Sequence, residues 1–169
     1  MIDDRAAVDR FLRHRDEHSF LTIFRAHTPA LMMMALRLMR GSKADAEDAV
    51  QEAWMRAVAS LPRFGWRSSL RTWLCGIVVN CCREISRKGP PPAQVPHDAR
   101  DDMGMDLERG IAELPEAARE VFVLHEIYGF THDEVGGLLG IEAGTSKSQL
   151  HHARRALREF LGEENEERN

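Results

Sequence analysis

The sequence predicts an all-α protein of two small helical domains, and three observations carry that expectation. Apolar residues recur at three- and four-residue steps through most of the 169 residues, as in helices that bury one face. Strand-like alternation is absent, and β-branched residues are sparse outside Ile77–Val79. Four of the seven prolines fall within Gly89–Pro96 and interrupt the helical pattern with a linker, semi-extended at first and then flexible. The expected organisation is a helical domain over 1–89, a linker over 90–103, a second helical domain over 104–162 and an acidic tail over 163–169.

A first helix is expected over about Asp4 to His14 and a second over about Glu17 to Ala26. Thr28 followed by Pro29 reads as the N-cap and first turn of a third helix, ending at Gly41. Met32, Met33, Met34, Leu36, Leu38 and Met39 make it apolar over much of its circumference, as suits a central core helix. The cleanest pattern follows: Ala46, Ala49, Val50, Ala53, Trp54, Ala57, Val58 and Leu61 predict a helix that Pro62 stops. Its other face presents Glu47, Asp48, Gln51, Glu52, Met55 and Arg56. The loop Arg63, Phe64, Gly65, Trp66, Arg67 then sets two aromatics among two arginines. From Ser68 or Ser69 to about Lys88 a further helix turns Leu70, Trp73, Leu74, Ile77, Val78 and Ile85 inward.

Beyond the linker, Leu107, Ile111 and Leu114 share a helix face. Pro115 opens a helix with Ala118, Val121, Phe122 and Ile127 apolar, closing at Tyr128 and Gly129. Thr131 with Glu134 forms a capping box, and Gly140 ends the short helix that starts there. After a turn, Ser146, Leu150, Ala153, Leu157 and Phe160 line the inner side of a longer helix. Gly144, Lys147, Ser148, His151, His152, Arg155 and Arg158 fall on the outer side. Short helix, turn and longer helix with a cationic outer face is the pattern of a DNA-binding helix-turn-helix, and equally of a helical hairpin with a solvated face.

Composition narrows the function classes. Hydrophobic content of 43% with 30% charge describes a soluble globular protein. No apolar run reaches the roughly 20 residues that span a bilayer, and the charged first segment does not read as a signal peptide. The expectation is therefore a cytoplasmic protein without direct membrane insertion. Cys75, Cys81 and Cys82 read as buried thiols, and no C-x-x-C or paired-histidine spacing suggests a metal. Without a nucleophile motif or phosphate-binding glycine loop, neither an enzyme nor a cofactor is expected. The net charge of −4 is unevenly spread: residues 1–90 carry 15 Lys/Arg against 10 Asp/Glu, and residues 91–169 carry 8 against 17. Lys147 to Arg158 still holds four bases and no acid, and local charge governs DNA contact more than the total.

The segments DAEDAVQEAWMRAVASLPRF (45–64) and SLRTWLCGIVVN (69–80), with the helix-turn-helix of 131–161, resemble the extracytoplasmic-function group of bacterial sigma-70 factors. In that family the first helical domain is region 2 and the second region 4. The likeness covers nearly the whole chain except the linker and acidic tail. It implies binding to core RNA polymerase, direction to a promoter and opening of the DNA. By the resemblance, Asp48, Gln51, Glu52 and Met55 contact the polymerase clamp helices, charges steering the docking and apolar neighbours supplying burial. Arg63, Phe64, Trp66, Arg67, Arg71, Trp73 and Asn80 match the −10 reader, where aromatics and arginines capture unpaired bases. Trp66 is expected outward, in a loop beside Gly65, and Trp73 toward the core by its phase with Leu70, Leu74 and Ile77.

The same resemblance makes Lys147, Ser148, His151, His152 and Arg155 base-edge candidates for the −35 element, and Thr145, Arg154 and Arg158 phosphate candidates. Gln149 and His152 stand where the family often has arginine, and Ser146 replaces an apolar residue, so the −35 sequence does not carry over. An anti-sigma factor that holds the protein inactive is a further implied partner. The alternative is a sigma-like mimic that sequesters an anti-sigma factor without touching promoters.

Overall fold

A computed structural model describes residues 3–89 and 103–167, and among them there are eight α-helices and no strand. The first four are α1 (Asp4–His14), α2 (Glu17–Leu38), α3 (Lys43–Ser60) and α4 (Leu70–Lys88), with a single 3₁₀ turn at Leu61–Arg63. Short polar side chains start them where the sequence places such residues. Asp3, Asp16, Ser42 and Ser69 accept hydrogen bonds from the first free N–H groups of α1, α2, α3 and α4.

Helix α2 corrects the sequence expectation. The two helices expected on either side of Thr28–Pro29 are one helix of 22 residues with Pro29 inside it. An interior proline withholds one N–H and costs about 3 kcal/mol, yet both halves of α2 bury the same face through Ile23, Leu31, Met34, Ala35 and Leu38. Thr28 does not cap. Its hydroxyl accepts a hydrogen bond from Trp54 Nε1 at 3.1 Å. Phe20 meets the Trp54 ring edge-on at 5.7 Å and Phe24 lies 5.1 Å from it, so the α2–α3 seam is aromatic at one end. Met34 and Met39 are fully buried while Met33 is exposed, which places the methionine cluster mostly in the core.

The second half comprises α5 (Met103–Glu113), α6 (Glu116–Phe122), α7 (His132–Leu139) and α8 (Ala143–Glu167). Of the expected linker only Met103 is described, and it opens α5. Ile111 and Leu114 are buried as expected, whereas Leu107 is exposed. Helix α6 widens into a π-helical turn over Val123–Ile127, in which Tyr128 N–H donates to Val123 O across five residues. The capping box is present: Thr131 N–H donates to Glu134 Oε2 at 2.8 Å, and Glu134 N–H to Thr131 Oγ1 at 3.3 Å. Gly140 ends α7 in the left-handed region at φ 69°. Ser146, Leu150, Ala153 and Leu157 of α8 are buried. Helix α8 continues past 162, where the sequence suggested a separate tail, because Gly162 alone does not outweigh the helix-forming glutamates around it.

The Gly136–Gly137 pair inside α7 divides into two cases. A Cβ on Gly136 would stand 2.6 Å from the carbonyl oxygen of Ile141, so the turn between α7 and α8 closes over a position only glycine can fill. Nothing stands near Gly137. Gly137→Ala is expected to stabilise the chain by up to about 1 kcal/mol, and Gly136→Ala to destabilise it by about 1–3 kcal/mol. Urea denaturation of the two variants checks both signs.

Candidate functional site

Three surfaces collect the residues singled out in the sequence. The first is an open groove of about 410 Å³ between α3 and α4, lined by Asp48, Gln51, Glu52, Met55, Arg56, Cys81, Glu84, Ile85 and Lys88. Helical spacing puts Asp48, Gln51, Glu52 and Met55 on one side of α3, and Met55 is 58% exposed, an apolar knob at the groove's edge. Glu52 has a second commitment: its carboxylate accepts from Arg56 Nε at 2.7 Å. Arg56 also donates from both terminal nitrogens to Glu84 of α4, each at 2.8 Å, a two-pronged bond that fixes the groove's width. Arg56 beside it holds the Glu84 carboxyl below the usual carboxylate range. The sequence places Arg56 on this face but does not single out Glu84 or their pairing, which crosses between helices 28 residues apart.

The second surface is the loop from Arg63 to Ser69 and the start of α4. Phe64 and Trp73 stack at 4.7 Å and 28°, and Trp66 lies 4.8 Å from Phe64. Trp66 is half-buried rather than turned fully outward: it packs on Phe64, and the Arg5 guanidinium of α1 sits 5.4 Å over its ring. Its backbone is left-handed, φ 53°, which costs a non-glycine residue roughly 1–2 kcal/mol. Trp73 is half-buried too, one face in the stack. Arg63 and Arg67 flank the stack and are exposed. Arg71 and Asn80 are also exposed, but nine residues of helix set them on opposite sides of α4. Arg71 lies over the ring of Tyr128 from the second half, 5.5 Å from its centroid. Arg5 has no signal in the sequence, since nothing local ties it to a loop 61 residues away.

The third surface is the outer side of α8. Thr145, Lys147, Ser148, His151, His152, Arg154, Arg155 and Arg158 are all exposed there. Two of the cations have acidic partners: Arg154 bonds Glu126 of the π-helical turn, and Arg155 lies 3.6 Å from Glu159. Beneath this face the replacement of an apolar residue by Ser146 finds its reason. Ser146 is fully buried and its hydroxyl shares a 2.9 Å hydrogen bond with His132 Nδ1. The His132 ring stacks on His125 at 4.2 Å and 13°, and His125 Nδ1 is 2.8 Å from Phe130 O.

Burial pushes the thiols of Cys75 to about 11 and Cys82 to about 12, so both stay protonated and unreactive at neutral pH. Among the described residues no group of three His, Cys, Asp or Glu could hold a metal, and no helix is long and apolar enough to cross a membrane.

Family models match both halves: residues 23–89 match sigma-70 region 2, and residues 104–157 match sigma-70 region 4. An extracytoplasmic-function sigma factor SigE of Mycolicibacterium smegmatis is 29% identical over 164 residues, covering 86% of this chain and 62% of that protein. A probable sigma-C factor of Mycobacterium bovis is 30% identical, covering 66% of this chain and 68% of that protein. The solved sigma factor RpoE of Bartonella quintana, in complex with the anti-sigma factor NepR, superposes with a TM-score of 0.69 at 27% identity. That match covers 85% of this chain and 96% of the solved one.

The histidine stack gives α7–α8 a pH dependence. Burial first, and then repulsion from His125, holds the His132 imidazole below its ordinary value of 6.5. The folded chain thus binds this proton less readily than the unfolded chain, so the contribution is whole above about pH 6.5 and is lost as pH falls below it. Calorimetry is expected to show Tm falling between about pH 7 and pH 5.5, and falling less in His132→Gln, which keeps a partner for Ser146 without the titrating ring.

Proposed function

Because this chain belongs to the extracytoplasmic-function group of the sigma-70 family, we propose that it is a sigma factor that binds core RNA polymerase, directs it to promoters and helps open the DNA. Residues 1–89 are assigned to the polymerase and the −10 element, and residues 104–162 to the −35 element. A role on polymerase places it in the cytoplasm, and an anti-sigma factor of the kind bound to the Bartonella relative is its regulator.

The observation that carries this reading is the Phe64–Trp66–Trp73 stack flanked by Arg63 and Arg67. Strand opening without ATP requires that unpaired bases find a better environment than water, and flat rings beside cations provide it. A strained backbone under Trp66 fits a ring held in position for a ligand. The exposed set on α8 supplies duplex contact: Lys147, Ser148, His151, His152 and Arg155 at base edges, with Thr145, Arg154 and Arg158 at phosphates. Asp48, Gln51 and Met55 take the polymerase helices, and Glu52 serves through Arg56 as well as directly.

Run-off transcription with core polymerase tests the reading. Added protein is expected to yield promoter-specific transcripts, and their absence from every genomic fragment would favour a mimic that only captures an anti-sigma factor. Trp66→Ala is expected to lose permanganate-reactive thymines at the −10 element while polymerase binding is retained. Met55→Asp is expected to weaken core binding at least about tenfold, read by fluorescence anisotropy, because it sets a charge at an apolar contact.

A further inference from the structure

We propose that Arg5, in the first turn of α1, is a positioning residue of the aromatic loop: its guanidinium holds the Trp66 ring in the attitude that captures an unpaired base. The proposal rests on the base-capture reading of that loop given above.

Trp66 has few supports. Its backbone is left-handed at φ 53°, and at Gly65 before it a Cβ would meet nothing within 4 Å. Phe64 lies 4.8 Å from the ring at 50°, and Phe64 itself stacks on Trp73. The remaining support comes from another helix, where Arg5 Cζ stands 5.4 Å from the ring centroid. Of the aromatic side chains tryptophan attracts a cation best, and a guanidinium adds a flat surface to stack.

Arg5 is itself fixed in place. Its backbone N–H donates to Oδ1 of the N-cap Asp3 at 3.0 Å. Asp4 Oδ1 lies 2.9 Å from His27 Nε2 of α2, and Val8 and Phe11 bury the inner face of α1. The helix that carries Arg5 does not account for it, because a cation in the first turn meets the positive end of the helix dipole. Among the described residues no carboxylate forms an ion pair with it either. What its guanidinium meets is the ring of Trp66.

A ring held before DNA arrives loses less freedom when a base stacks on it, so a support of this kind acts on opening. Arg63 and Arg67 of the same loop are exposed and left for phosphates. The groove between α3 and α4 does not include Arg5, so docking on polymerase proceeds without it. The cation on α1 therefore matters to strand opening and not to the steps before it.

The test follows Arg5→Gln in the full chain, alone and with core polymerase on a promoter that run-off transcription identifies. The three tryptophans give three indole N–H signals by NMR, and the one missing from Trp66→Ala marks Trp66. Arg5→Gln is expected to move that signal and leave the Trp54 signal in place. Opening, followed as permanganate reactivity over time, is expected to slow about two- to fivefold. Core binding is expected to stay within about twofold and Tm within about 2–4 °C, since an exposed group is changed. In a Trp66→Phe background, where the ring attracts a cation less, the slowing is expected to shrink below about twofold. Opening at the wild-type rate in Arg5→Gln overturns the proposal. So does equal slowing in both backgrounds, which would make Arg5 a DNA contact in its own right. A wild-type chain that opens no promoter with core polymerase overturns the sigma reading, and the role of Arg5 with it.

Discussion

One guanidinium sets how the halves meet. Arg119 is buried, and it donates to Leu38 O at the end of α2 and to Leu114 O just beyond α5. Helix ends expose carbonyls that nothing inside the helix can satisfy, and they carry the negative end of the helix dipole. A single cation placed between two such ends answers both needs. Burial pulls the Arg119 pKa down, and that cost is offset by the two carbonyls and the neighbouring Glu116 and Glu120. Glu120, in turn, is pushed up by burial despite Arg83, so the seam balances desolvation against pairing at each of its charges. The seam thus resembles a binding interface more than a core.

The three functional surfaces stand on different supports. The groove of α3 and α4 is tied by Arg56, whose bonds to Glu52 and Glu84 reach within and across helices. The aromatic loop has no such network; stacking on Trp73 and the reach of Arg5 hold it. The outer face of α8 is positioned from below, where the buried Ser146 and the close approach of Ile141 to Gly136 fix the angle of the helix-turn-helix. The buried polar residues Ser146, Arg119 and Glu120 each have a partner that explains their presence.

Most elements were legible because they depend on local chemistry. The capping box at Thr131, the αL glycine at 140 and the apolar stripe of α8 are short-range signals, and each appears where the spacing puts it. Thr28–Pro29 misled because a local start signal was overruled by continuous burial on both sides, with Trp54 claiming the threonine hydroxyl. What escaped notice are partnerships, those of Arg5, Arg56, Arg83 and Arg119 and the His125–His132 stack, and all act across distances that periodicity does not encode. The uneven charge was visible, but the pairing of Arg37, Arg40 and Arg83 with Glu108, Glu113 and Glu120 across the halves is not encoded in local spacing.

The left-handed backbone at Trp66 has an evolutionary consequence. Glycine is the one residue that would sit there without strain, and it would remove the ring at the same stroke. Yet the same ring packs on Phe64 and lies under Arg5, so the relief of strain that glycine offers is set against lost packing. Under the proposed role, stability and base capture both favour keeping the tryptophan, and the strain is a cost that the loop's own stacking carries.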